Sequence, residues 1–247
     1  MSDDYDFRAQ RLFVPDDLGA GGVVALGRDQ ANYLVNVLRL HDGAGVHIFN
    51  GRDGEWLARL RREGRRDASL VIDVRTRVQA GGPDLHYLFA PLKRSRLDYM
   101  VQKATELGAA RLSPVLTRHT MAERVNLDRM RANVIEAAEQ CGILRVPEVT
   151  DPMPIAKALA TFESTRTLVF CDEDAPVTSP IDALAKVARG PVAVLIGPEG
   201  GFAPDERERL VAMPNVVRLA LGPRIMRADT AAVAAMALVN AVLGDWR

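Results

Sequence analysis

Residues 195–208 read LIGPEGGFAPDERE. Just before and within this stretch, Val192, Val194 and Ile196 form a short β-branched run of the kind found in fully buried strands, and it stops at Gly197. Gly200 and Gly201 let the backbone take positive φ or approach a ligand closely. Pro204 followed by Asp205 and Glu206 marks the first turn of a helix. Buried strand, glycine loop and helix, in that order, is an α/β passage, and in open α/β sheets small molecules bind at strand ends.

The same passage recurs in residues 219–239, LALGPRIMRADTAAVAAMALV. A strand ends at Gly222, and a loop carrying Arg224, Arg227 and Asp229 leads into an apolar helix. Two such loops in one parallel sheet are expected to be neighbours and to wall one pocket. Ile225 and Met226 beside backbone amides suit a flat ring better than a phosphate. Upstream, LHYLFAPL, ARLSPVLT and TLVFCDE read as further strands, alternating with amphipathic helices over SRLDYMVQKATELG and NLDRMRANVIEAAEQCG. The expectation is an α/β unit with a parallel sheet over residues 84–247.

Residues 1–80 follow a different rule. LFV, VVAL, VHIF, EWLARL and SLVIDV are short strands separated by glycine and aspartate clusters, and QANYLVNVLRL has helical apolar spacing. A small β-barrel with one helix is expected there, with QAGGPD as the linker.

The 247 residues carry 32 Lys and Arg against 32 Asp and Glu, which excludes a strongly basic nucleic-acid coat. The balance is locally uneven: residues 88–131 hold nine basic against four acidic side chains, and residues 136–182 hold three against nine. Cys141 and Cys171 have no CxxC spacing, so reduced thiols in a cytoplasmic protein are expected. The acidic start MSDDYDFRAQ does not read as a signal peptide, and the most apolar run, Ala231 to Leu243, falls short of the roughly 20 residues a membrane helix needs. GPEGG is not GxGxxG, and Leu219 stands where a dinucleotide fold wants an acidic residue; no GxxxxGK[ST] occurs. A nicotinamide-dependent oxidoreductase is therefore disfavoured, and no metal-ligand spacing is present.

The sequence resembles the RsmE family of 16S ribosomal RNA uracil-N3 methyltransferases in the SPOUT superfamily. The resemblance runs through RLFV, VLRL, KATELGAARLSPVLT, IEAAEQCG, LIGPEGGF and LGPRIMRADTA, and covers most of the chain in order. It implies a PUA-like barrel for RNA, an α/β domain with a trefoil knot, a homodimer, and S-adenosylmethionine as cofactor. The implied cofactor residues are Leu195, Ile196, Gly197, Glu199, Gly200 and Gly201 from the first loop, and Leu219, Leu221, Gly222, Ile225, Met226 and Arg227 from the second. The chain departs from the family's usual LRTETA at Ala228 and Asp229, and Ala203 replaces a Ser or Thr helix cap.

Methyl transfer to a uracil nitrogen needs in-line positioning and stabilisation of charge on the ring oxygens. Arg227 is the first candidate for that role and Arg224 the reserve; alternatively Arg227 shapes the loop through a salt bridge to Asp229 or Glu199. Glu199, Asp229 or water is the candidate proton acceptor. Arg11, Arg39, Lys93, Arg94, Arg96 and Lys103 are candidate phosphate contacts for 16S rRNA or the small ribosomal subunit. His119, a lone histidine near a strand end, reads as structural. The rival from another class is a non-catalytic RNA-binding protein that keeps the fold.

Overall fold

The computed structural model describes residues 9–64, 67–121, 124–176 and 179–246. It divides into two compact units, Met1–Gly81 with Ala138–Val146, and Gly82–Ala137 with Pro147–Arg247.

In the first unit, strands β1 (Arg11–Phe13), β2 (Val23–Ala25), β3 (Gly45–Phe49), β4 (Glu55–Arg62) and β5 (Ala68–Arg77) form one sheet in the order β1-β3-β4-β5-β2. Alternation sends Val46, Ile48, Leu60 and Leu70 inward, all nearly inaccessible, over Leu34 from the helical segment. Register shifts between β4 and β5 bend the pair, which gives this small sheet its curl. The expected helix starts as α1 (Arg28–Asn32). It then widens over Tyr33–Val37, where the Leu38 N–H donates to the Tyr33 carbonyl five residues back at 2.9 Å, and it ends at Arg39 with φ of 55°. Segment 138–146 belongs to this unit: Phe49, Ala138 and Leu144 share a core, the Phe13 N–H donates to Glu139 at 2.7 Å, and Arg77 donates to the Gly142 carbonyl at 2.9 Å.

Arg11 departs from expectation. It is 3% exposed, and its Nε donates to the fully buried Glu55 carboxylate at 3.0 Å, whose other oxygen accepts from Thr76 at 2.9 Å. An arginine committed inside the sheet cannot reach a phosphate. Its removal would leave the buried Glu55 carboxylate with Arg77 at 3.6 Å as its remaining guanidinium neighbour.

The second unit contains β6 (Leu85–Phe89), α2 (Arg94–Glu106), β7 (Arg111–Leu116), α3 (Leu127–Cys141, whose last turn falls in the first unit), β8 (Glu148–Val149), β9 (Met153–Pro154), α4 (Ile155–Ala160), β10 (Thr167–Cys171), α5 (Pro180–Ala185), β11 (Val192–Ile196), α6 (Pro204–Val211), β12 (Val216–Leu219) and α7 (Ala228–Val242). The short elements β8, β9 and α4 carry too little periodicity to be read from sequence. The main sheet runs β12-β10-β11-β6-β7-β8, and its neighbours pair in parallel. Such sheets are covered on both faces, which is why all five residues of β11 are buried. Ala193 and Leu195 join Leu168, Phe170 and Leu210 on one face; on the other, α7 packs on α2 and β11. Each buried Val, Leu or Ile contributes about 1.5–3 kcal/mol.

The strand order places β10 between the two strands that carry the glycine loops. β11 and β12 are not neighbours, because each pairs with opposite edges of β10. The chain leaves β11 on one side of β10, forms β12 on the other, and returns through residues 220–227 to α7, which packs back on β11. The carboxyl ends of β10, β11 and β12 therefore meet at one edge of the sheet.

His86 in β6 supplies a pH test of this unit. Burial first, and the Arg166 and Arg111 cations second, pull its pKa from 6.5 to about 4, outweighing Asp84. The unfolded chain then binds a proton between those values that the folded chain refuses, so stability falls as pH drops through that window. Urea unfolding at pH 7 and pH 5 should show a loss of about 2 kcal/mol that His86→Gln largely abolishes.

Candidate functional site

A cavity of about 610 Å³ opens at the carboxyl ends of β10, β11 and β12. That volume falls in the range of small-molecule and cofactor sites, roughly 300–1,000 Å³. The first wall is the loop after β11. A side chain on Gly197 would bring a Cβ to 2.4 Å from the Phe202 ring, which packs edge-on against Phe170 at a centroid distance of 5.2 Å. The loop therefore folds back on its own strand only because position 197 is glycine. Gly201 has φ of +69° and donates its N–H to the Pro198 carbonyl at 2.9 Å, closing the turn. The following helix, α6, lacks a side-chain cap at Ala203, as expected, but Glu206 supplies part of the lost stabilisation by accepting the Ala203 N–H at 3.1 Å.

Residues 117–120 hold this loop from outside. Nδ1 of His119 lies 3.2 and 3.1 Å from the carbonyl oxygens of Gly200 and Gly201, so that nitrogen carries the proton and donates to both. His119 is thus a structural clamp, in line with the sequence reading. His119→Ala should weaken binding of a small molecule in the cavity about fivefold, the value of roughly one net hydrogen bond, while the melting temperature barely moves because the side chain is exposed. Equilibrium titration beside a thermal melt checks both.

The second wall is the segment after β12, with Leu219, Leu221, Gly222, Met226 and Arg227 on the cavity. Ile225 also borders it but is 96% exposed, so it stands at the rim. Ile196, Gly197, Glu199 and Gly201 complete the expected residues found on the lining. Leu195 and Gly200 are not on it: Leu195 points into the opposite core with Ala193, as strand alternation demands, and Gly200 faces His119. Asp229 is also off the lining. It occupies the first turn of α7, where its carboxylate meets the positive helix end and accepts the Thr230 N–H at 2.9 Å.

The third wall, from β10, was not anticipated. Cys171, Asp172, Glu173 and Asp174 line the cavity, and Arg207 reaches it from α6. Asp172 is 5% exposed and accepts from Arg207 at 3.1 and 3.0 Å and from Arg218 at 2.7 Å. Burial pushes its carboxyl up, but those guanidiniums and the Asp174 N–H hold it below the usual range. The signal was present in TLVFCDED, a strand ending in three acids; what those acids face depends on the strand order.

The charged candidates are rearranged. Glu199 pairs with Arg96 on α2, so the expected partner of Arg227 is occupied elsewhere. Arg227 and Arg224 are exposed on the cavity rim, and no ion pair to either occurs among the described residues. Lys103 pairs with Glu106 at 2.6 Å and lies 5.6 Å from the Tyr99 ring. Lys93 and Arg39 are exposed, and the side chain of Arg94 lies outside the described residues.

The profile of the RNA methyltransferase domain family matches residues 81–240, and that of an RNA methyltransferase PUA domain matches residues 26–73. The small-subunit ribosomal RNA methyltransferase E of Rickettsia conorii is 29% identical over 93% of this chain and 94% of its own. Its namesake in Synechocystis is 30% identical over 95% and 78%. A Legionella pneumophila methyltransferase solved with the cofactor S-adenosylmethionine superposes with a TM-score of 0.84 at 26% identity, covering 96% of this chain and 99% of that one.

Proposed function

Since the chain belongs to the RNA methyltransferase family, we propose that it methylates N3 of a uridine in small-subunit (16S) ribosomal RNA, with S-adenosylmethionine held in the cavity at the ends of β10, β11 and β12. The observation that carries this reading is the meeting of both glycine loops on one cavity of about 610 Å³, although β10 separates their strands. The residues fit the cofactor. Gly197 and Gly201 border the cavity with no side chain of their own, Ile196, Leu219, Leu221 and Met226 offer aliphatic walls, and backbone groups of the loops offer hydrogen bonds to the ring edge.

Bound there, S-adenosylmethionine supplies an electrophilic methyl group. The chain's own task is to bring an unstacked base to the open side of the cavity and to hold the charge that forms on its ring oxygens once N3 loses its proton. Arg227, exposed on the rim and unpaired among the described residues, is placed for that charge, and Arg224 lies three residues away. Glu199, paired with Arg96, is the lining carboxylate proposed to accept the proton. Lys93 and Arg39 remain proposed phosphate contacts.

The dimer belongs to the same proposal. Val233, Ala234, Ala237 and Leu238 form a half-exposed apolar strip at helical spacing along α7, suited to a second copy. No described helix is long and apolar enough to cross a membrane, and a cytoplasmic site of action follows from a ribosomal substrate. A purely RNA-binding role is not favoured, because both glycine loops line one cavity whose volume suits a cofactor. The decisive assay incubates the protein with small subunits, or free 16S rRNA, and methyl-labelled S-adenosylmethionine, then separates nucleosides by mass spectrometry. Label in 3-methyluridine is expected; label in another nucleoside, or none, overturns the reading.

A further inference from the structure

The three acids at the end of β10 differ in what they face. Asp172 is neutralised by Arg207 and Arg218, and Asp174 lies 3.5 Å from Arg207 while its carbonyl accepts from Arg218 at 2.7 Å. Glu199 across the cavity is paired with Arg96. Glu173 lines the same cavity, is exposed, and has no ion pair or hydrogen bond among the described residues. Its Oε1 lies 3.1 Å from the point where a side chain on Gly201 would begin, so the carboxylate stands directly against the turn of the glycine loop. Among the described residues, this lone carboxylate beside two arginine-bound aspartates is the lining acid whose charge no neighbour cancels.

We infer that Glu173 is the counter-charge of the cofactor and sets the preference for S-adenosylmethionine over its demethylated product. This rests on the cofactor reading above. S-adenosylmethionine carries a sulfonium, an ammonium and a carboxylate, a net charge of plus one; loss of the methyl leaves S-adenosylhomocysteine net neutral. The two share the same adenosine and amino-acid groups, so every hydrogen bond to those parts contributes to both affinities alike. What separates them is the methyl group and the charge it confers on sulfur, and in a partly enclosed cavity a charge acts through a lower effective dielectric than in water. Such a device favours release of the product, because the attraction that holds the substrate form disappears with the transferred methyl.

Titration calorimetry on the full chain tests the assignment, with wild type and Glu173→Gln each titrated with S-adenosylmethionine and with S-adenosylhomocysteine. Glu173→Gln keeps the shape and an acceptor oxygen while removing the charge. The expected result is an approximately tenfold weaker affinity for S-adenosylmethionine with less than a twofold change for the product, so the ratio collapses. Raising the salt should lower the wild-type ratio and leave that of the variant flat. Equal weakening of both ligands means a hydrogen bond to a shared group and overturns the assignment, as does no change in either. Failure of wild type to bind either ligand sinks the cofactor reading itself, a result distinct from both. Because Glu173 is exposed and unpaired, a melt of Glu173→Gln that matches wild type assigns any shift to the site.

Discussion

Gly197→Ala should cost the protein its cofactor: more than a hundredfold weaker binding of S-adenosylmethionine and loss of measurable methylation, with a fall in stability of about 1–3 kcal/mol. A Cβ there would lie 2.4 Å from one ring atom of Phe202 and 3.0 Å from two others. The ring cannot retreat into the core, because it already packs edge-on against the fully buried Phe170. It borders the cavity, so its way out is into the space an adenosine would take. The pairing gives a rescue. Phe202→Ala alone leaves a hole and costs stability, but combined with Gly197→Ala it removes the clash, and binding should recover at least tenfold relative to the single glycine variant. Additive losses in the double variant would mean that position 197 matters for its backbone and not for its closeness to Phe202.

The reach and limit of the sequence follow from the same contacts. β11 and its loop were legible because their message is local: a continuous β-branched run, two glycines, then proline and acids within fourteen residues. The curled sheet and the alternating α/β unit were legible for the same reason. Strand order is not local. Nothing in TLVFCDED or VAVLIG says that β10 lies between β11 and β12, and so what Asp172 and Glu173 face could not be read from the strand that carries them. Arg11 misled because its environment depends on Glu55, 44 residues further along; an arginine in a strand looks the same in sequence whether it meets a buried carboxylate or solvent. The helix over residues 127–141 reads as one continuous amphipathic element, and its periodicity carries no mark that Ala138–Val146 packs with the first unit.

Arg227→Ala should lower the turnover number about 100- to 1,000-fold while changing the affinity for S-adenosylmethionine less than threefold. The residue precedes the first turn of α7 with an extended backbone, φ −65° and ψ 151°, and is exposed on the cavity rim. That position gives it two properties. The adjoining start of α7 brings partial positive charge to the same edge, offset in part by the Asp229 carboxylate in its first turn. And with Glu199 bound to Arg96 and Asp229 turned to its own helix, no described carboxylate competes for the guanidinium. Charge alone predicts that Arg227→Lys recovers part of the rate, whereas a bidentate grip on two ring oxygens predicts that it recovers almost none. Arg224→Ala should affect the Michaelis constant for RNA more than turnover if it contacts phosphate. Single-turnover methylation of the small subunit separates these outcomes, and an Arg227→Ala protein that turns over at the wild-type rate removes the residue from the chemistry and leaves it as part of the RNA-facing rim.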